Sequence, residues 1–216
     1  MISATSILTD ARRFINDTST EVTEQRYSDS DLTAFLRQAI RLMAILRPDI
    51  FTVNAAVTAV SGAYYDAPGR LIEVYSRDDG RALVEVTRET MDQNSPTWRT
   101  DTDPDGPTDW VRDKRRETGF WVHPQFATPA GRSMTVAYVD DSVSQFTGDA
   151  IALDDRYASP LTYLVVYFAE TINEEATAQA RAAGFMTNAR DMLGLARSEA
   201  NTLSDETGGM RGSQNI

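Results

Sequence analysis

"YSDSDLTAFLRQAIRLMAILRPDIFTVNAAVTAV", residues 27–60, holds the change of hydrophobic period that decides the fold. Its first half predicts a helix. Ser28 can cap it, Asp31 can reach back to complete a capping box, and Tyr27 with Leu32 can staple the first turn. Leu32, Phe35, Leu36, Ala39, Ile40, Met43 and Leu46 then share one stripe, and Pro48 ends it. That is about 20 residues, or roughly 30 Å of helix. Leu42 and Ile45 fall off the stripe. A second apolar edge calls for cover by another element, of the same subunit or of a neighbour. From Phe51 the apolar residues alternate instead, the period of a strand.

Upstream, the spacing of Ile7, Leu8, Ala11, Phe14 and Ile15 predicts a helix over 6–15, followed by a polar loop. Downstream, period 2 persists to about residue 149. "RLIEVYS" and "RALVEVT" flank "RDDG" and predict a hairpin; "FWVHP" and "SMTVAYVD", joined through "TPAG", predict a second. "RETMDQNSP" predicts one helical turn, and "TWRTDTDPDGPTD" a long loop. Helix returns after Asp154, with Ser159 as its cap and Pro160 first in line. It is apolar nearly all round and therefore central: Leu161, Leu164, Val165, Phe168 and Ile172 on one side, Tyr163, Val166 and Tyr167 on another. A last helix over 176–199 places Phe185, Met186, Ala189, Met192, Leu193 and Ala196 inward. The fold class is α+β. An antiparallel bundle of about four helices (1–50 and 150–201) is interrupted by an antiparallel β domain (51–149), sandwich or barrel-like, and a tail (202–216) follows.

The 216 residues carry 32 acids against 21 bases, a formal charge of −11, and no cysteine. Thiol nucleophiles, disulfides and thiolate metal sites are thereby excluded. An acidic surface is a poor sink for phosphate, so tight non-specific DNA binding is not expected. Lys114 is the one lysine; every other base is arginine, whose fork clamps carboxylates bidentately and suits ion pairs between subunits. A GC-rich gene would produce the same bias. No apolar run spans a bilayer, and no secretory leader is visible, which fits synthesis in a cytoplasm.

His123 is the only histidine. As a base it would need a nucleophile or acid around it, and as a ligand two companions; a strand histidine bonded to a neighbour is the better reading. Asp101, Asp103, Asp105 and Asp109 alternate around Gly106 like the start of a calcium loop. The pattern then breaks, with Arg112 where a bidentate glutamate belongs and Pro107 at the carbonyl-donating position. Arg112, Lys114, Arg115 and Arg116 form a basic cluster that reads either as a patch for an acidic partner surface or passing DNA, or as a solvated loop. Adjacent acids at 140–141 and 154–155 do not face across a cleft as a glycosidase requires, and no phosphate-binding or serine-nucleophile motif occurs. No residue speaks for an enzyme, and no cofactor is implied.

The order of these elements resembles tailed-phage head-to-tail adaptors, most of all the connector or tail-tubular type of short-tailed phages. The likeness rests on "ARRFINDTS", "RYSDSDLTAFLRQAIRLMAILRPDIF", "ETMDQNSPTW", "GFWVHPQFATPAGRSMTVAYVD" and "ALDDRYASPLTYLVVYFAETINEEAT", across roughly residues 5 to 200. The resemblance implies a virion neck protein: a homo-oligomeric ring, typically of about twelve subunits. Such a ring docks beneath the portal, continues the channel for genome retention and ejection, and contacts a downstream tail or nozzle protein. Double-stranded DNA passes without sequence-specific contact, and an acidic lumen with arginines at the seams would let it slide. By the same likeness the tail, with Leu203, Met210 and Ile216 as apolar anchors, becomes ordered on the portal. Leu42, Ile45, Arg112, Arg115 and Arg116 complete the expected partner surface. Two alternatives stay open: a head-completion or stopper protein of the neck, and a calcium- or glycan-binding accessory protein of the virion.

Overall fold

The computed structural model describes residues 1–19, 25–172 and 176–195. The chain is mixed α and β and divides into two compact units, Met1–Arg47 with Ser142–Ile216, and Pro48–Asp141.

In the first unit, β1 (Ile2–Ser3) pairs antiparallel with β11 (Ala150–Ile151), and Ser3 caps α1 (Ala4–Phe14) by accepting from the Ser6 N–H. Short strands this close to a helix end were not legible as strands. Asp149 secures the same end: its carboxylate accepts the Thr5 N–H at 2.6 Å and the Ser3 hydroxyl at 2.7 Å. These bonds, those from Thr5 foremost, hold its carboxyl below the usual aspartate range. Ile7, Ala11 and Ile15 are buried as expected, whereas Phe14 is exposed.

Helix α1 ends in a Schellman motif. Asn16 takes φ 57°, its N–H bonds Arg13 O, and the Asp17 N–H bonds Arg12 O. That turn delivers the buried Asp17 carboxylate to Arg12 at 2.6 Å, and it also accepts the backbone N–H groups of Arg26 and Tyr27. Arg12 donates onward to Tyr27 O and Asp29. One ion pair thus ties the end of α1 to the start of α2 (Asp29–Leu46).

Helix α2 starts as read, with the full Ser28–Asp31 capping box. Its buried stripe is Leu32, Phe35, Leu36, Ala39, Ile40, Met43 and Ala44; Leu46 is half-buried. Helix α4 (Ala158–Thr171) packs against α1, α2 and α5 (Ala176–Met192) and is the central element. Its start corrects the expectation of a Ser159 cap. A 3-10 turn, Asp155–Tyr157, leads into it, and Asp154 caps that turn by accepting the Arg156 N–H. Pro160 lies in the first turn, where a missing N–H loses no helical bond. Ile172 is exposed rather than inward, because it stands at the C-cap, beyond the packed turns.

The inner row of α5 is Ala178, Ala182 and Ala189, with Leu193 beyond its end. Phe185 and Met186 are half-buried and Met192 exposed, so the expected row shifts toward the small residues. Alanine on the contact line lets α5 approach α4 closely, which displaces the larger side chains to the flanks. The buried Glu170 of α4 meets Arg181 of α5 at 3.0 Å. Ala196 lies outside the described residues, as does the tail from 202 onward. No described helix is long and apolar enough to cross a membrane.

In the second unit, β10 (Ser133–Val139) is the centre of a three-stranded antiparallel sheet between β2 (Thr52–Thr58) and β4 (Arg70–Arg77). A four-stranded sheet runs β3 (Tyr64–Asp66), β8 (Gly119–His123), β7 (Asp109–Arg112), β5 (Val84–Glu85), with β5 parallel to β7. The first expected hairpin forms only beside its turn: the Arg77 N–H bonds Arg81 O, Ser76 bridges Ala82 antiparallel and the Leu83 N–H bonds Tyr75 O, after which the second arm leaves to pair with β7. The second expected hairpin is corrected. Between β8 and β10 the chain forms β9 (Gln125–Phe126), which pairs parallel with β6 (Thr102–Asp103), and β10 joins the other sheet. Met134, Val136, Ala137 and Val139 are all buried, in keeping with a strand flanked on both edges.

Leu71, Val74, Met134 and Val136 of one sheet share a core with Tyr65, Trp110, Phe120 and Val122 of the other. No sheet closes into a barrel among the described residues. On the far face of β7 and β8, Val111 and Trp121 pack with Trp98 and Met91 of α3 (Arg88–Asn94). The Trp98 indole donates to Asp92 at 2.8 Å.

Three stability outcomes follow from the first unit. Asp17→Ala leaves Arg12 and two backbone donors without their acceptor and should cost about 2–4 kcal/mol in urea unfolding. Ser28→Ala removes one cap and should cost about 1 kcal/mol. The Asp149 bonds stabilise the fold only while that carboxyl is ionised. Their contribution is complete above the ordinary aspartate value near 4 and fades as pH falls through the lowered folded value. Thermal unfolding followed against pH should accordingly show a shallower acid limb in Asp149→Asn than in the parent chain.

Candidate functional site

His123 extends from β8 on the side opposite the buried Val122, as the strand alternation requires. It sits between two carboxylates, with Nε2 3.5 Å from Asp101 and Nδ1 3.7 Å from Asp109. Nδ1 is buried without a hydrogen-bond partner. Among the described residues no hydroxyl hydrogen-bonds the imidazole; the Asp101 carboxylate accepts from Ser95 and Thr97.

The acidic loop disperses its side chains. Asp103 accepts the Asp105 N–H at 2.7 Å, Asp105 faces Arg81 at 3.5 Å, and Asp109 accepts the Thr108 hydroxyl. Asp101 and Asp109 alone converge, and they converge on His123. No three histidine or acidic side chains among the described residues are grouped to hold a metal ion. Gly106 at φ 92° makes the loop possible, since a Cβ there would meet the Phe126 ring at 2.4 Å.

The basic cluster divides as well. Arg112 donates to Leu71 O at 2.7 Å and Ile72 O at 2.6 Å, pairs with Glu85, and lies over the Trp110 ring. It clamps the outer edge of β4 to the other sheet. Lys114 reaches Glu89 at 3.5 Å and Arg116 reaches Asp66 at 3.7 Å, while Arg115 is exposed. Of the off-stripe pair on α2, Ile45 is 64% exposed and Leu42 half-buried. Leu203, Met210 and Ile216 lie outside the described residues.

One feature had no sequence signal. A cleft of about 460 Å³ in the first unit is lined by Thr5, Leu8, Thr33, Arg37, Phe146 and Gly148, among others. The Arg37 guanidinium lies 5.6 Å from the Phe146 ring, and its Nε is buried without a hydrogen-bond partner. Helical spacing puts Arg37 one turn after Thr33, but the loop that closes the cleft comes from more than 100 residues away, beyond any local pattern.

What the described side chains offer is contact chemistry: exposed apolar groups on helices and exposed arginines. Comparison with known proteins agrees in kind. No curated protein matches the chain. The family model for SU10 adaptor protein matches residues 2–211, which takes in both compact units. The chain belongs to the SU10 adaptor protein family.

Proposed function

We propose that the chain is a ring-forming adaptor of a phage neck, set between portal and tail and continuing the DNA channel, with a structural rather than an enzymatic role. The observation that carries this reading is the adaptor-family match along 2–211. The surface supports it. Phe14, Ile45, Ile172 and Met192 are large apolar side chains of the helical unit left facing water, a cost that contact with another subunit removes. The formal charge of −11 suits a conduit, because an acidic wall repels phosphate and lets DNA slide. In this reading residues 202–216 take up order on the portal, with Leu203, Met210 and Ile216 buried there, and the exposed Arg115 and Arg116 meet acidic neighbours.

Electron microscopy of the purified chain with portal-bearing heads tests the assignment: closed rings at the head vertex are expected, and isolated particles that ignore the vertex would sink it. Deleting 202–216 should leave a folded protein that no longer joins heads; normal joining refutes the role given to the tail. Ile45→Asp changes an exposed side chain and should leave the unfolding temperature nearly unchanged, yet weaken assembly about tenfold or more in sedimentation.

A further inference from the structure

The two edges of the three-stranded sheet are treated differently. The β4 edge is closed: the Leu71 N–H bonds Glu117 O, Arg112 covers the carbonyls of Leu71 and Ile72, and Leu83 donates to Tyr75 O. The β2 edge is open. Phe51 O accepts from Asp140 and the Ala59 N–H donates to Arg132 O, so ladder alternation turns Val53, Ala55 and Val57 toward β10. Thr52, Asn54, Ala56 and Thr58 turn their backbone groups outward. No described residue hydrogen-bonds the outward groups of Asn54, Ala56 or Thr58. None of the seven residues of β2 is buried.

Exposed edges are normally defended by charge, proline, a bulge or brevity. Thr52–Thr58 has none of these defences: it is seven residues long, in continuous register with β10, and uncharged in a chain that is 25% charged. It is also close to self-complementary. Thr-Val-Asn-Ala-Ala-Val-Thr reads the same in reverse except that Asn54 and Ala56 exchange places.

We propose that β2 pairs edge to edge with β2 of a second copy of this chain, antiparallel and centred on Ala55. In that register Thr52 meets Thr58 of the second copy, Val53 meets its Val57, and Asn54 meets its Ala56. The outward-facing residues then oppose one another, so their N–H and C=O groups exchange hydrogen bonds. Threonine pairs and valine pairs are favourable cross-strand neighbours, and no like charges meet. Val57 packs on the core shared by the two sheets and Val53 is exposed at the same face, so each copy's Val57 covers the other's Val53. A strand from an unrelated protein would satisfy the same backbone groups, but it would give no reason for a sequence symmetric about its own centre. The contact is two-fold. A two-fold contact cannot close a ring, which needs head-to-tail surfaces, so this pairing is separate from ring seams and does not rest on them.

The absence of cysteine supplies the test. Ala55 would face its own counterpart as a non-hydrogen-bonded pair, with Cα atoms about 4.5 Å apart, inside the range a disulfide spans. Full-length Ala55→Cys should oxidise to a covalent dimer in high yield, and Ile72→Cys, exposed on β4, should not. Ala56→Pro removes an outward donor and spares the ladder to β10. It should keep the parent circular dichroism while weakening dimerisation at least about tenfold in sedimentation velocity. Should that variant misfold, Ala56→Lys, which adds charge to the edge and keeps the N–H, replaces it with the same expected weakening. A parent chain that sediments as a monomer, or Ala55→Cys cross-linking no better than Ile72→Cys, overturns the pairing. Rings on heads without the Ala55 cross-link overturn the pairing alone, and the cross-link without rings overturns the ring alone.

Discussion

Everything in the helical unit is arranged around burying α4. Leu161, Leu164, Val165, Val166 and Ala169 are wholly enclosed, and no side chain caps the start of the helix. A 14-residue helix with so little terminal help is held by its neighbours rather than by its own propensity. Each fully buried leucine or valine contributes about 1.5–3 kcal/mol, which far exceeds what a cap supplies. That demand dictates the surroundings. Helices α1 and α2 bring apolar stripes to it, and α5 brings alanines, because only small residues let a further helix come close. Even the charged Glu170 is enclosed there, and Arg181 neutralises it from α5.

Signals that act within one helical turn were legible. The Ser28–Asp31 box, the stop before Pro48 and the alternation of Phe120 and Val122 around His123 can each be read from a few neighbouring residues. Partner choice between strands was not. "FWVHP" and "SMTVAYVD" look like the arms of one hairpin because they alternate and flank a turn. The buried faces decide otherwise: β10 is apolar on both sides and takes a centre position, while β8 takes β3 and β7. The same limit applies to Asp17, whose Schellman turn is local but whose bonds to Arg26 and Tyr27 cross a loop rich in polar residues.

The candidate site shows the same division. The acidic run from 101 to 109 alternates in sequence as a ligand set would, yet its carboxylates are taken up singly by Thr97, Asp105, Arg81 and Thr108, with two of them beside His123. The three arginines near 115 read as one patch because they are adjacent. The fold separates them by function, since Arg112 serves a sheet edge that lies 40 residues away in the chain. Arg37 carried no signal, because a guanidinium whose Nε is buried without a hydrogen-bond partner is defined by what does not reach it.

The arginine bias takes on a different meaning in the fold. Arg12 with Asp17, Arg77 with Asp79, Arg132 with Asp78 and Arg181 with Glu170 are pairs within the chain, several of them with a buried member. The best-placed arginines are thus already engaged, while the chain as a whole keeps a net charge of −11. Copies of such a chain repel one another at long range. In the proposed assembly, contacts between copies would then come from groups that carry no charge: exposed side chains such as Ile45, and the open backbone of β2. Repulsion at a distance with uncharged contact at close range gives assembly that depends on register and fit, since only a matched surface recovers what the charge opposes.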